Sequence, residues 1–197
     1  MNLLYIPSVL LALNCCEGDI LLLLDSSGSV SSYEFSRLLR FVTDLLSPFS
    51  LGHGHVRVAL LQVSTNPRLE FGLGAHKTQR DLKKALLGTK QLLGDTNTKA
   101  ALRLAQQHLT RAQSEQEPAL PKVLVWLTDG VDPGDVDGLM SELKADGVAV
   151  LAVSTGHGNY KVLQRSVTPP VDSHLHFVDI DDISLITEDL REAIIGA

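Results

Sequence analysis

Three short polar segments carry the side chains whose types and spacing could do chemistry. Their sequences are DSSGS at residues 25–29, GDTNT at residues 94–98 and LTDG at residues 127–130. Carboxylates and hydroxyls supply oxygen ligands only, which hard dications such as Mg²⁺ prefer, whereas soft metals favour cysteine or histidine clusters. Taken together, the three segments indicate a site for one hard divalent cation.

Each segment alone also has a simpler interpretation. The DSSGS segment could be a helix cap followed by a turn, Thr96 or Thr98 could cap a helix that begins at Lys99, and Asp129-Gly130 could be an ordinary turn. The shared metal site is the better interpretation because each segment stands at the end of a predicted strand or at the start of a predicted helix.

Strands and helices alternate along the chain, as apolar runs and apolar residues at helical spacing indicate. The predicted strands are residues 19–25, 56–64, 68–71, 123–127, 148–154 and 175–178. The predicted helices are one from the capping box at residues 31–34 to just before Pro48, and then residues 78–88, 99–112, 136–146, 159–165 and 183–195. This order predicts an α/β fold, in which a doubly wound, mostly parallel six-stranded sheet carries helices on both faces and a short antiparallel edge strand.

The predicted sheet explains how distant segments could form one site. In such sheets the functional crevice lies beyond the carboxyl ends of the strands. Asp25 and Asp129 each stand at that end of a predicted central strand. We therefore expect these two carboxylates to be neighbours in space although they are far apart in sequence.

Length and charge limit the remaining possibilities. The chain has 197 residues, 44% of them hydrophobic, which suits one domain with a full core. The net charge is −6, and lysines and arginines are scattered rather than grouped. Because phosphate binding needs a basic stripe, nucleic acid is disfavoured as a partner.

The N-terminus has the character of a signal peptide. Residues 1–13 are apolar and uncharged, too short for a membrane span but as long as a signal-peptide core. We predict a signal peptide at residues 1–16 and one domain at residues 17–197, with an N-terminal strand or tail as the alternative. Cys15 and Cys16 are adjacent, so they rarely bridge each other. Cleavage before them would allow a disulfide-linked oligomer, and cleavage after them would leave no thiol.

The three segments, in this order, resemble the metal-ion-dependent adhesion site of the von Willebrand factor type A domain family. The family motif is Asp-x-Ser-x-Ser followed by a distant Thr and a distant Asp, and the resemblance runs from about residue 19 to residue 195. It implies that Ser27 and Ser29 ligate the ion directly and that Thr96 does so in the ligand-engaged form. It also implies that Asp25 and Asp129 act largely through bound water, and that one position is left for a partner's carboxylate.

The function that this resemblance implies is binding, not catalysis. We expect a secreted extracellular-matrix adhesion module that uses Mg²⁺ or Mn²⁺ to bind matrix proteins such as collagens or proteoglycans. A domain that binds its partners through a metal-independent face is the first alternative. The second is a phosphoryl-transfer enzyme using Asp25, but that chemistry wants an acid two positions on, where Ser27 stands.

Other candidate residues favour structural interpretations. The histidines His53, His55, His157, His174 and His176 lack the further ligands that a metal centre needs. Gly156-x-Gly158 lacks the full dinucleotide-binding spacing, and Trp126 lies within an apolar strand and is expected in the core.

Overall fold

A computed structural model describes residues 16–114, 120–130 and 134–197. Residues 1–15, and with them Cys15 and nearly all of the predicted signal peptide, lie outside this description. The strands are β1 (Gly18–Asp25), β2 (Val56–Val63), β3 (Arg68–Phe71), β4 (Lys122–Thr128), β5 (Val148–Ser154) and β6 (Leu175–Phe177). Each matches a predicted strand to within a residue at either end. β1, β2, β4 and β5 are mostly buried apolar runs, whereas the edge strands β3 and β6 are short and partly exposed.

The six strands form one sheet in the order β3-β2-β1-β4-β5-β6. All neighbouring pairs are parallel except β2 and β3, which are antiparallel. The predicted antiparallel edge strand at residues 68–71 is therefore confirmed. The chain winds outward from β1 through β2 to β3, returns to β4 on the other side of β1, and continues to β6.

Helices cover both faces of the sheet, as predicted. They are α1 (Ser32–Leu46), α2 (Gln79–Leu87), α3 (Thr98–Ser114), α4 (Asp137–Ala145), α5 (Tyr160–Ser166), α6 (Val171–His174) and α7 (Thr187–Ile195). Alternate residues of β1 face opposite sides: Ile20, Leu22 and Leu24 pack with α1, α2 and α7, whereas Leu21 and Leu23 pack with α3, α4 and α5. Trp126 is 1% exposed in the second layer, so the expected core position is confirmed.

The C-terminal region differs from the single predicted helix at residues 183–195. A 3-10 helix (Ile180–Ile186) precedes α7, which begins only at Thr187. Asp179 Oδ1 accepts a hydrogen bond from the Asp181 amide at its start. Ile180 and Ile183, three residues apart, both face the core, and a 3-10 helix places such residues directly above one another.

A buried charge cluster lies at the amino ends of the central strands, opposite the candidate site. Asp19 is fully buried and accepts hydrogen bonds from Arg57 at 2.8 and 2.9 Å and from Lys122 Nζ at 2.8 Å. These contacts tie β1 to both of its neighbours.

No helix in the described part of the chain is long and apolar enough to cross a membrane.

Candidate functional site

The candidate site lies where the direction of winding reverses. β1 pairs with β2 on one side and with β4 on the other, so the switch point falls between β1 and β4. Asp25 is the last residue of β1, and Asp129 follows the last residue of β4 directly. The structure therefore brings the two carboxylates together at the crevice that doubly wound sheets use for ligands.

A continuous chain of hydrogen-bond contacts links four of the five predicted site residues. Ser27 Oγ lies 2.7 Å from Asp25 Oδ1, Ser29 Oγ lies 2.6 Å from Asp129 Oδ2, and the two serine oxygens are 2.9 Å apart. The Ser27 amide also donates to Asp25 Oδ1 at 3.0 Å. Asp25, Ser27 and Asp129 are buried, whereas Ser29 is exposed, so solvent reaches this series of contacts at Ser29.

The four side chains make three oxygen-to-oxygen contacts, but the two serine hydroxyls supply only two protons for them. With both carboxylates ionised, each serine hydroxyl must donate its single proton to the aspartate beside it. No proton then remains for the contact between the two serine oxygens, which lie 2.9 Å apart. A cation bound to both oxygens would be attracted to their lone pairs without needing that proton.

The Asp25 carboxyl group is also incompletely satisfied. It is 1% exposed, and its Oδ2 has no hydrogen-bond partner among the described residues. Burial raises the pKa of Asp25 above its ordinary value, and the nearby Asp129 carboxylate acts in the same direction, while the two hydrogen bonds from Ser27 oppose this rise. A buried carboxylate beside a second one is costly unless a positive charge compensates both. The donor set, all oxygen, fits Mg²⁺ or Mn²⁺.

Thr96 lies on a loop that is fastened to the first segment by main-chain hydrogen bonds. The Leu93 amide donates to Ser26 O, and the Gly28 amide donates to Gly94 O, both at 2.8 Å. Thr96 is half-buried on this loop, and no described hydrogen bond joins its hydroxyl to the four-residue chain. Asn97 Oδ1 accepts a hydrogen bond from the Ala100 amide at the start of α3. Asn97 therefore caps this helix, and the alternative in which Thr96 or Thr98 is the cap is wrong.

Gln91 and Ser26 support the site, although the sequence patterns did not single them out. Gln91 Nε2 donates to Val30 O at 2.7 Å and to Ser27 O at 3.2 Å. Ser26 Oγ accepts from the Leu92 amide at 2.7 Å. These bonds hold the two loops as one unit, and nothing local in the sequence signals them because they join residues 61 to 66 positions apart.

Glycines position the Asp129 segment against the loop that follows β5. A methyl group on Gly156 would overlap the Asp129 carbonyl oxygen, and one on Gly130, whose φ is +76°, would overlap Gly158. The Gly156-x-Gly158 pattern, which has no dinucleotide-binding context, thus permits close packing beside Asp129. Gly28 differs, because a methyl group there would lie at an ordinary 3.5 Å from Gly94 O.

Two of the histidines contact main-chain carbonyl oxygens. His174 Nδ1 contacts Thr168 O at 2.6 Å, and His176 Nε2 contacts Ser173 O at 3.1 Å. Within the residues that the structure describes, no group of three His, Cys, Asp or Glu side chains could hold a metal ion. The candidate site therefore depends on hydroxyls as well as carboxylates.

Comparison with known proteins shows the family. Residues 19–192 match the family model for the von Willebrand factor type A domain. Von Willebrand factor A domain-containing protein 1 of Danio rerio is 62% identical over 185 residues, which are 93% of this chain and 37% of the relative. Matrilin-2 of Mus musculus is 31% identical over 189 residues, covering 93% of this chain and 20% of the relative. The chain thus spans well under half the length of these relatives.

Solved structures share the fold. The structure of proximal thread matrix protein 1 from the mussel byssus, with a zinc-occupied MIDAS motif, superposes with a TM-score of 0.81 at 21% sequence identity, over 92% of this chain and 46% of that chain. At this identity the likeness shows the fold.

Proposed function

Because the chain belongs to the von Willebrand factor type A domain family, we propose that it is an adhesion module that binds a partner through Mg²⁺ or Mn²⁺. Asp25, Ser27, Ser29, Thr96 and Asp129 would hold the cation. A carboxylate of an extracellular-matrix protein would complete the coordination. The observation that carries this proposal is the contact between Ser27 Oγ and Ser29 Oγ, for which the two ionised carboxylates leave no proton.

The ligand types explain why an acidic partner would bind tightly. Hydroxyl ligands are neutral, so they leave the cation's charge poorly compensated. Carboxylates that act mainly through bound water orient the ligands without cancelling that charge. Since Ser29 is exposed, the site is open to solvent on the side from which a partner's carboxylate would approach.

A matrix location is the setting we propose for this activity. A solved structure of the same fold bears the name of a matrix protein and holds zinc in its MIDAS motif. Collagens and proteoglycans are the partner classes we propose. The proposal includes secretion through a signal peptide at residues 1–16, and disulfide-linked oligomers if Cys15 or Cys16 remains after cleavage.

Phosphoryl transfer through Asp25 is disfavoured by the geometry. Ser27 stands where that chemistry needs an acid, and its hydroxyl donates to Asp25 Oδ1.

The direct test is binding to immobilised collagen-rich matrix in Mg²⁺ and in EDTA. We expect the wild-type protein to bind in Mg²⁺ only, and the double variant Ser27→Ala, Ser29→Ala not to bind in either condition. Ser32→Ala with Ser36→Ala, which removes two exposed hydroxyls from α1, is the matched control and should bind like the wild type. Binding that survives both EDTA and the site variant would establish a metal-independent face instead.

A further inference from the structure

Two helices lie at opposite edges of one face of the sheet. β3 and β6 are the outermost strands, and five strand spacings separate them by about 24 Å. At the β3 edge, Gly88 after α2 lines a cavity together with Phe71 of β3. At the β6 edge, Glu192 of α7 lines a cavity together with His176 of β6. α1 packs against both α2 and α7, and all three helices cover the same core layer.

The α2 side is basic, although the chain as a whole has a net charge of −6. Residues 76–90 contain a single acid, Asp81. The basic edge consists of five exposed residues, which are Lys77, Arg80, Lys83, Lys84 and Lys90. None of the five forms an ion pair with another described residue, so their positive charge faces solvent.

The α7 side is acidic. Residues 172–192 contain one lysine or arginine, Arg191, which pairs with Glu188. The acidic edge consists of seven residues, which are Asp172, Asp179, Asp181, Asp182, Glu188, Asp189 and Glu192. The charges of the molecule are therefore separated between the two ends of one face.

A cavity lies within the acidic edge, between α6, β6 and α7. Its volume is about 420 Å³, within the range of about 300–1,000 Å³ that is typical of binding clefts. Asp172, Asp189 and Glu192 line it, and no described lysine or arginine does. None of these three acids forms an ion pair with another described residue.

His174 adds a buried hydrogen-bond acceptor to this cavity. It is 8% exposed, and its Nδ1 contacts Thr168 O at 2.6 Å. Because a carbonyl oxygen only accepts, Nδ1 carries the proton, and Nε2 of the neutral ring is an acceptor with no described hydrogen-bond partner. The described acids and histidines form no group that could hold a metal ion. The cavity therefore suits an organic cation that donates hydrogen bonds, as lysine and arginine side chains do.

We infer that the domain self-associates head to tail, with the basic edge of one copy on the acidic edge of the next. Lys83 or Lys84 of the first copy enters the cavity beside Glu192 of the second. A second copy is the occupant because this chain itself presents unpaired lysines that match the cavity, on the same face and at the opposite edge.

The proposed contact joins two different surfaces, so each bound copy keeps one edge free and the contact repeats into an open row. Neither edge includes Asp25 or Asp129. A row therefore presents one candidate metal site per copy, and the self-association is independent of the proposed function.

The test is sedimentation velocity of the full chain at several protein concentrations. EDTA and a thiol reductant are present, so that neither a bound cation nor Cys15 or Cys16 can link copies. Ionic strengths of about 0.01 M and about 1 M are compared, where the screening length is about 30 Å and about 3 Å.

Two variants reverse the charge of one edge each. They are the basic-edge variant Lys83→Glu, Lys84→Glu and the cavity variant Asp172→Lys, Glu192→Lys. The matched control is Lys99→Glu, Arg103→Glu, which changes the net charge as the basic-edge variant does, but at exposed residues of α3 on the other face of the sheet.

We expect the wild type and the control to gain mass with concentration at low ionic strength and to be monomeric at high ionic strength. Each edge variant alone should self-associate at least about ten-fold more weakly, because like charges then face each other. An equimolar mixture of the two edge variants should associate again, since it restores one native pair of edges. That recovery also shows that both variants are folded.

A wild type that is monomeric at both ionic strengths would overturn the inference, as would association that high ionic strength leaves unchanged. Edge variants that associate like the wild type, or a mixture that stays monomeric, would refute the head-to-tail contact. A monomeric wild type that binds heparin through Lys83 and Lys84 would assign the basic edge to a different partner. Because every measurement is made in EDTA, failure of the metal-dependent function would leave these outcomes unchanged.

Discussion

At the scale of single residues, the site is defined by what its side chains lack. The Asp25 Oδ2 atom has no described partner, and the Ser27 and Ser29 hydroxyls have no proton for the contact between them when both carboxylates are ionised. Gln91, by contrast, donates hydrogen bonds from its side-chain amide to the carbonyl oxygens of both Ser27 and Val30. The candidate ligands are therefore left unsatisfied, while hydrogen bonds hold the loop that carries them in place.

Gln91→Ala should weaken Mg²⁺ binding without a ligand being lost. Removing both bonds to the first loop releases the backbone that positions Ser27 and Ser29, and changes of this kind typically cost about 10- to 100-fold in affinity. Titration calorimetry with Mg²⁺ measures the effect. Gln91→Glu should not restore binding because a carboxylate cannot donate. Gln106→Ala removes a half-buried glutamine amide that bonds to Glu142 of α4 rather than to a loop of the site, and should behave like the wild type.

Gly156→Ala and Gly28→Ala should differ sharply. The added methyl group at Gly156 meets the Asp129 carbonyl oxygen, so we expect a loss of about 1–3 kcal/mol in the free energy of unfolding, together with weaker Mg²⁺ binding. At Gly28 the methyl group makes only ordinary contact, so the change in unfolding free energy should be small. Urea unfolding of both variants checks this, and equal losses would contradict the packing role of Gly156.

At the scale of elements, β1 carries a buried charge cluster at one end and the candidate site at the other. Its amino end is fastened through Asp19 to Arg57 of β2 and Lys122 of β4, and its carboxyl end presents Asp25. Asp19 and Asp25 are six residue steps apart along the strand, which is about 20 Å. Stability and metal binding should therefore respond to different substitutions along one strand.

Asp19→Ala should destabilise the fold and spare the site. Lys122 is 4% exposed, so removing its partner leaves a buried charge uncompensated, which typically costs about 3–5 kcal/mol. Urea unfolding measures the loss, and calorimetry at low temperature should find Mg²⁺ affinity unchanged. Arg68→Ala removes a pair whose arginine is 64% exposed and should change stability by less than about 1 kcal/mol. A strong effect of Asp19→Ala on Mg²⁺ affinity would show that the two ends are coupled.

At the scale of the whole molecule, the site joins three parts of the chain that are distant in sequence and come together only when the sheet folds. The Ser29 to Asp129 contact spans 100 residues, and the loop of Thr96 reaches the first segment through main-chain bonds. The unfolded chain therefore has no assembled site, and the proposed cation would favour the folded state.

Mg²⁺ should consequently raise the melting temperature. At a concentration of 100 times the dissociation constant the added stability is about 2.7 kcal/mol, which corresponds to roughly 5–10 °C for a domain of this size. Scanning calorimetry with and without Mg²⁺ checks the shift, and EDTA should reverse it. The Ser27→Ala, Ser29→Ala variant should melt at one temperature in both conditions; a shift equal to that of the wild type would place the cation elsewhere.

The local patterns of the chain predicted most of the fold and four members of the hydrogen-bonded site. Continuous apolar runs identify the strands, helical spacing identifies most helices, and the Ser31–Glu34 capping box is present in the structure. The 3-10 helix (Ile180–Ile186) was missed because its apolar spacing of three is also compatible with an α-helix.

The sequence by itself determined the types and order of the elements and the polar residues at their ends, because these follow from periodicity and turn chemistry within a few neighbouring positions. Only the tertiary structure decided that β4 lies beside β1, that Gln91 supports the first loop, that Gly156 fits against Asp129, and that Asp172 and Glu192 line one cavity. Each of these depends on which distant surfaces the sheet brings into contact, and contact between distant residues leaves no local pattern in the chain.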